Sequence, residues 1–274
     1  MISISGLGSA VALNLLDATR DRQIELLNNE PVHKRAAEAF EARIATISTP
    51  EELVADFEVY SFVMRAFDLE DQIFGKGMVR KILESDPEDP ASLLNRLTDQ
   101  RFREMHLALG FTTAEGPQTP DFTSPDFVQA VKDRYFNQIY INNNDDQNST
   151  VGTVLTFRDK AADLSSWFDV LRNEELTEFF QTALSIPAEV SALDLDVQQR
   201  IFSDKFDLAN LADPAERERL ITRYVAISDV VNPQANTATS IAASILSNVG
   251  TGVQIIPITF DVSNLPFSAS QLYR

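Results

Sequence analysis

Apolar residues recur at three- and four-residue intervals along most of the chain, which indicates helices with one buried side. In residues 7–29 the apolar side chains lie near helical spacing, and the pattern ends before Pro31. A second helix is predicted from Pro31, with Val32, Ala36, Phe40 and Ile44 on one side. The pattern is typical of helices that pack on a shared core.

Helix-start signals support the same interpretation. Thr49, Pro50 and Glu52 form a capping-box sequence, which predicts a helix carrying Leu53, Phe57, Tyr60, Val63, Met64 and Phe67. A capping residue followed by proline also occurs at Asp89-Pro90, Ser124-Pro125 and Asp213-Pro214. We therefore predict an all-α, multihelical, bundle-like globule in which short loops join antiparallel neighbours.

Three segments interrupt the helical pattern. Residues 110–123 contain two glycines and two prolines and are predicted to form a loop. Residues 142–150, NNNDDQNST, are predicted to form a polar connection. After Ser228 only three charged residues remain, and Val253–Val262 alternates enough to predict a minor extended segment near the C-terminus. The chain thus divides into helical regions at 1–111 and 124–228 and a low-charge tail at 229–274.

A weak internal repeat is present. Residues 63–69 resemble residues 180–186, and a short link and a further helix are predicted after each. Two related helical halves would explain the similarity. Two independent helix pairs of similar composition would also explain it.

Composition restricts the classes of function. The formal net charge is −18, which opposes binding to nucleic-acid phosphates or anionic membranes. Cysteine is absent, which excludes disulfides, thiolate metal sites and cysteine nucleophiles, and two histidines exclude a His-rich metal site. No run of about 18 apolar residues is present, so no membrane insertion is expected. The first 20 residues lack a basic segment and contain Asp17, which does not fit a Sec signal peptide.

Glycine pairs that resemble phosphate-binding loops lack the required context. Gly6 and Gly8 are not followed by a βαβ pattern, and Gly75-Lys76-Gly77 lacks the spacing of a P-loop. We interpret them as glycines of turns or helix junctions. No nucleotide cofactor is expected.

Two acidic segments offer oxygen ligands without a matching motif. Asn142, Asn144, Asp145 and Asp146 do not have the spacing of an EF-hand loop. The segment from Asp194 to Asp196 has no phosphate-binding loop beside it. We interpret these acids as solvated or capping residues and expect no metal site.

No catalytic constellation stands out. His33 and His106 lie on predicted amphipathic helices and are interpreted as packed or surface residues, and no GxSxG sequence is present. We therefore expect no catalytic residue. A metal-assisted hydrolase that uses scattered carboxylates is the enzymatic alternative.

The tail contains a candidate partner-docking segment. Between Asn236 and Val249, one side of a predicted helix carries Ile241, Ile245, Leu246 and Val249, and no charged residue is present. Such a segment either packs within its own chain or becomes ordered only in an assembly.

Several segments resemble the DUF1217 family, an alphaproteobacterial family of unknown function whose genes often lie beside flagellar genes. The similar segments are Thr19–Gln23, Glu30–Arg35 with Phe40, Thr49–Asp56, Ala66–Asp71, Val79–Glu84, Asn95–Phe102 and Ala108–Phe111. They cover residues 14–111 well and the following residues more thinly. At Asp68 the family pattern leads us to expect the glycine of a helix-ending AFGL.

The resemblance implies an all-helical protein with no catalytic residues to transfer and an association with motility. Exported flagellar axial proteins are also commonly acidic and free of cysteine, lack a Sec signal and have apolar terminal helices. We therefore expect a non-enzymatic structural or interaction protein of a bacterial flagellum, exported without a Sec signal, whose partners are other proteins. The alternative is a cytoplasmic, acidic binding or chaperone-like module for flagellar export or regulation, which would attract basic partners.

Overall fold

A computed structural model describes residues 1–231 of the chain. Within this range thirteen α-helices and one two-stranded antiparallel sheet are present, which confirms the all-α prediction. The helices are α1 Ser9–Asn29, α2 Pro31–Arg43, α3 Pro50–Ala55, α4 Phe57–Ala66, α5 Lys76–Leu83, α6 Leu93–Arg96, α7 Gln100–Leu109, α8 Pro125–Asp145, α9 Ser149–Lys160, α10 Trp167–Leu171, α11 Glu174–Leu184, α12 Leu195–Lys205 and α13 Pro214–Val231. The strands are β1 Thr112–Thr113 and β2 Gly116–Pro117.

Three predicted helix starts are confirmed and one is wrong. The capping box of Thr49 and Glu52 begins α3, and the prolines at 125 and 214 begin α8 and α13. Pro90 instead lies in a turn, since the Asp89 carboxylate accepts a hydrogen bond from the amide of Ala91 at 2.9 Å. The next helix, α6, begins after Ser92.

The single helix predicted from Thr49 to Phe67 is two helices, α3 and α4. Asp56 adopts extended backbone angles between them, and its carboxylate caps α4 by accepting from the amide of Val59 at 3.2 Å. An aspartate carboxylate can accept a hydrogen bond from a free backbone amide at a helix N-terminus, so an aspartate within a helical pattern can also mark the start of a second helix. Because the two helices are separate, the apolar side of α4 can face the core in a different direction from that of α3.

The polar connection predicted at 142–150 is also wrong, because α8 runs through Asp145 and α9 begins at Ser149. The amide nitrogen of the buried Asn144 side chain donates to the carbonyl oxygen of Tyr140 at 2.7 Å, whereas its Oδ1 has no hydrogen-bond partner among the described residues. The break is confined to residues 146–148, where Asn148 caps α9. Asparagines that favour loops in isolation are held in the helix by their surroundings.

The loop predicted at 110–123 contains the short sheet, whose strands pair Thr112 with Pro117 and Thr113 with Gly116. The extended segment predicted at Val253–Val262 lies outside the described residues. Helix α13 continues past Ser228 to Val231, so the helical region includes the first residues of the predicted tail, 229–231.

The two predicted helical regions share one hydrophobic core. Helix α8, the first of the second region, packs against α4 and α1, and α13 packs against α11 and α1. Buried apolar residues from both regions form one continuous cluster. In residues 1–231 no helix is both long enough and apolar enough to cross a membrane.

The order of caps and helices in the first region recurs in the second. Ser166 forms a capping box with Asp169 at the start of α10, as Thr49 does with Glu52 at the start of α3, and the two boxes are 117 positions apart (49 and 166). Helices α1, α2 and α4 likewise have α8, α9 and α11 as counterparts near the same offset.

Equivalent helix ends have the same unusual backbone. Asp68 after α4 and Ser185 after α11 are the two non-glycine residues with positive φ among those described, at 56° and 54°. In each turn the following amide donates to the carbonyl five residues earlier, at 2.7 Å and 2.8 Å. This is the Schellman arrangement, in which glycine is the usual residue.

Each half contains two stacked phenylalanine rings at equivalent positions, and a tyrosine packs beside each pair. The first tyrosine comes from α8 of the other half, and the second is tilted by 37° on its neighbour. The two sets are Phe40–Phe62–Tyr135 and Phe157–Phe179–Tyr224. Successive ring centroids are 4.5 and 4.0 Å apart in the first set and 4.0 and 4.8 Å apart in the second. The halves therefore share helix order, caps, turn geometry and core stacking, which supports the internal repeat far beyond the seven residues that suggested it.

Candidate functional site

A polar cleft between the two halves could accept a ligand or a partner side chain. It consists of three neighbouring cavities of about 580, 550 and 430 Å³, and Asp68 lines all of them. The walls come from α1, α8 and α9, with the end of α4 and the starts of α7 and α11 between them. We call it the Asp68 cleft.

Asp68 reaches the cleft because the chain turns sharply after α4. Its φ of 56° is in the left-handed region that favours glycine, the residue that the family resemblance led us to expect here. Arg101 holds the turn by donating to the carbonyl oxygen of Asp68, and its Nη1 also lies 3.5 Å from Asp68 Oδ2. The equivalent turn in the second half is held by Arg223, which donates to the hydroxyl of Ser185 at 3.2 Å.

Carboxylates in and beside the cleft are hard to ionise. Burial raises the pKa of Asp68, and the nearby Arg101 offsets part of that rise. Burial also raises the pKa of Asp145, and the charges of Asp146 and Asp68 raise it further. The pKa of Glu178 is raised by burial and then by Glu175 and Glu174. On the α8–α11 side of the cleft, Asp145 and Glu178 therefore lie near other carboxylates that add to the effect of burial.

Asp145 is packed tightly against the start of α9. An added Cβ at Gly152 would lie 2.1 Å from Asp145 Oδ1, so a side chain at that position would displace the carboxylate. Gly152 is thus required for the close approach of the two helices and not for its backbone flexibility.

Two of the cations on the opposite side of the cleft share one carboxylate. Lys160 and Arg134 both contact Glu104, at 3.1 Å and 3.0 Å. The guanidinium of Arg134 also lies over the ring of Phe67, 4.6 Å from its centroid. This network fixes the cleft wall, and the cations in it are already paired.

Both histidines are held in the core, as the sequence-based interpretation expected. His33 Nδ1 lies 2.9 Å from the hydroxyl of Tyr135, and His106 Nε2 lies 3.0 Å from the carbonyl oxygen of Ser85. Burial lowers the pKa of each ring. Neither histidine is among the residues that line the Asp68 cleft.

The glycine motifs lie at turns and helix starts, as predicted. Gly6 has a φ of 79°, Gly8 precedes α1, and Gly75 precedes α5. Asp194 is the residue before α12 and is exposed.

Asn142, Asn144 and Asp145 are on α8 rather than in a loop, and Asp146 is the residue that follows the helix. Asp145 and Asp146 line the smallest cavity of the Asp68 cleft, whereas Asn144 is buried. Among residues 1–231, no group of three or more His, Cys, Asp or Glu side chains is arranged to hold a metal ion.

The two ends of the described chain meet at one place, which we call the terminal junction. The backbone amide of Ser9 donates to Asp229 at 3.2 Å, and the hydroxyl of Ser9 also contacts that carboxylate. Next to it, the hydroxyls of Thr150 and Ser228 lie 2.9 Å apart in a buried pair. The junction ties the start of α1 and the end of α13 to α9.

The terminal junction was not found from the sequence, because its members are 139 or more positions apart except for Thr150 and Ser228. The predicted docking residues Ile241, Ile245, Leu246 and Val249 lie outside the described residues. The point at which the chain continues toward them is the exposed end of α13, where Val230 and Val231 are 66% and 68% exposed.

Comparisons with known proteins agree with the fold. The family model described as a protein of unknown function, DUF1217, matches residues 66–216, which is more than half of the chain. The match includes the Asp68 turn and most of the second half. Residues 14–65, which also carried the resemblance, lie before it.

The chain is also similar to a solved structure, the X-ray crystal structure of protein AGR_C_984 from Agrobacterium tumefaciens. The two share 24% identity with a TM-score of 0.74, over 85% of this chain and 98% of that one. At this identity the likeness shows the fold. A search of curated proteins found no match.

Proposed function

Because the chain belongs to the DUF1217 family of proteins of unknown function, we propose that it is a non-enzymatic interaction protein associated with the bacterial flagellum. It docks other proteins through the low-charge segment that follows α13. The flagellar part of the proposal rests on the gene neighbourhood that the family resemblance implies. The docking part rests on the structure of the terminal junction and on the sequence after it.

The observation that carries the docking proposal is that the terminal junction anchors the end of α13. Hydrogen bonds from Ser9 hold Asp229, and the Thr150–Ser228 pair is buried behind them. Because the end of α13 is already held in place, a partner that binds the segment after it does not also have to order the helix end. The loss of conformational entropy on binding is smaller by that amount.

The last two residues of α13 are exposed apolar side chains. Val230 and Val231 are 66% and 68% exposed. Single exposed apolar residues are common on protein surfaces, but these two directly precede an uncharged, partly apolar sequence. A partner that covers the segment would bury them as well.

Substitution within the full-length chain tests the docking proposal. Ile241, Ile245, Leu246 and Val249 would all be changed to Ser, and a matched control would change Ser240, Ser244 and Ser247 to Ala. We expect the first variant to lose its co-purified flagellar partners and to reduce motility, while circular dichroism and thermal unfolding of residues 1–231 stay unchanged. Full motility and partner recovery in that variant would refute docking through this segment.

Fractionation tests the location. The tagged protein would be measured in cytoplasm, purified hook–basal bodies and culture medium, with and without a working flagellar export apparatus. Signal in basal bodies or medium that requires export supports an exported component. Signal confined to the cytoplasm in both strains contradicts it.

A cytoplasmic binding module for basic partners is the second candidate, and the Asp68 cleft favours it. Neighbouring carboxylates contribute, after burial, to the raised pKa values of Asp145 and Glu178, and a positive charge placed beside them would offset that repulsion. Binding through the cleft would weaken as ionic strength rises, because exposed charges are screened. Partner affinity that is the same at about 50 and 500 mM salt contradicts this candidate.

A further inference from the structure

The two halves differ most at the surface, where one half exposes a phenylalanine at a turn and the other has an open aromatic groove. Phe74 lies in the turn before α5 and is 94% exposed, the highest value among the exposed large apolar residues of the described chain. Two residues later, the ammonium of Lys76 lies 5.4 Å from the ring centroids of both Phe57 and Tyr60. Phe57 is itself 58% exposed. We call this surface the Phe74 knob.

The groove lies between α10, α12 and the 3-10 turn Leu208–Ala212, and its volume is about 580 Å³. Its walls include the half-buried side chains of Phe168, Phe206 and Leu208, and Trp167 also lines it. We call it the Trp167 groove. A dry cavity of about 150 Å³ can already hold a benzene ring, so this groove can accept a phenylalanine side chain with its neighbours.

The Trp167 wall of the groove is packed against the core. The Trp167 indole is 5% exposed, and its ring centroid is 5.0 Å from that of Phe180 and 5.2 Å from that of Phe202. A wall that is already ordered costs little conformational entropy on binding.

Comparison of equivalent positions in the two halves shows that the knob occurs in the first half alone and the groove in the second half alone. Glu51 occupies the position equivalent to the groove residue Phe168, and Glu174 occupies the position equivalent to the knob residue Phe57, each 117 positions away. Each half is therefore charged at the position where the other presents the aromatic side chain. Neither feature is duplicated.

Charge also matches between the two surfaces. Lys76 stands beside the knob, and Asp207 lines the groove. The carboxylate of Asp207 caps the following 3-10 turn by accepting from the amide of Ala209 at 3.0 Å, which keeps it in position. A phenylalanine that enters the groove would bring a lysine toward a fixed carboxylate.

We propose that the occupant of the Trp167 groove is the Phe74 knob of a second copy of this chain, so that the protein self-associates head to tail. The contact joins two different surfaces, and every copy retains one free knob and one free groove. Such an interface continues into a ring or a filament rather than stopping at a dimer. The proposal does not depend on docking through the residues after α13.

Self-association of the full-length chain tests the proposal by sedimentation velocity over a concentration series. We expect wild type to associate, and Phe74→Ser and Ser203→Arg each to weaken association by about thirtyfold, the usual effect of removing a central aromatic anchor. Ser203 is exposed and lines the groove, so arginine there blocks entry and repels Lys76. Leu107→Ser and Ala215→Arg are matched controls at exposed positions and should associate as wild type does.

Mixing the two defective variants distinguishes this geometry from other modes of association. Phe74→Ser keeps an intact groove and Ser203→Arg keeps an intact knob, so an equimolar mixture should form a dimer that goes no further. If Ser203→Arg does not fold, Ala209→Arg replaces it, because Ala209 is exposed and also lines the groove. A wild type that stays monomeric, controls that lose association equally, or a mixture that fails to form dimers would each overturn the proposal.

Discussion

The backbone at Asp68 provides a quantitative test of the structure. A φ of 56° costs an ordinary L-residue about 1–2 kcal/mol relative to glycine. Glycine loses about 0.4–1 kcal/mol more than alanine through the entropy of its unfolded chain. The difference predicts that Asp68→Gly is more stable than Asp68→Ala by about 0.5–1 kcal/mol. Both variants lose the carboxylate but keep the carbonyl oxygen that Arg101 contacts, so their comparison isolates the backbone.

Equilibrium urea unfolding at neutral pH would measure the difference. Ser185, which has the equivalent backbone conformation, should show the same sign when it is changed to Gly and to Ala. Glu38, exposed in the middle of α2, is the control and should show the opposite sign, with the glycine variant less stable by about 1 kcal/mol. An Asp68→Ala protein at least as stable as Asp68→Gly would show that the turn is not left-handed and would refute the equivalence of the two helix ends.

Two further predictions concern charge and packing. Glu178 has a raised pKa in the folded state, so the ionised carboxylate destabilises the protein and its cost grows as pH rises from the unfolded pKa through the folded one. Glu178→Gln should therefore stabilise the protein at pH 7 by a few tenths of a kcal/mol after solvent screening, and less near pH 4, whereas the exposed Glu189→Gln should change little in the same urea titrations. Phe179, fully buried at the centre of the second aromatic stack, should lose about 3–5 kcal/mol of stability on change to Ala, against less than about 0.5 kcal/mol for the exposed Phe57→Ala. Equal losses at the two phenylalanines would contradict the described core.

The helix starts show which parts of the fold are local. The capping box at Thr49 is predictable from the sequence. Thr49 and Glu52 pair with the free backbone amides of the helix N-terminus, and Pro50 between them has none to pair, so no residue outside these four is needed. Asp89-Pro90 has similar residues and forms a turn, since aspartate caps turns as well as helices. Because one residue type can suit more than one local structure, the sequence also did not predict the break at Asp56 or the helix through Asn144.

The candidate site was less accessible from the sequence than the fold. Asp68 was noticed as a departure from the family glycine, and the structure shows that it keeps the glycine-like backbone while placing a carboxylate in the cleft between the halves. Its partners Arg101 and Lys160 lie 33 and more positions away, and no local pattern connects them. The candidate docking residues Ile241, Ile245, Leu246 and Val249 stay a prediction.

The sequence by itself determined the helical class, most helix positions, the family and the excluded chemistry, because apolar spacing, caps and composition act over a few residues or over the whole chain. The tertiary structure alone decided that the two halves share one core, that the ends of α1 and α13 meet, and that an exposed phenylalanine on one half has an aromatic groove on the other. These features depend on residues more than 70 positions apart, whose proximity is set by how helices pack and is not encoded in any single segment.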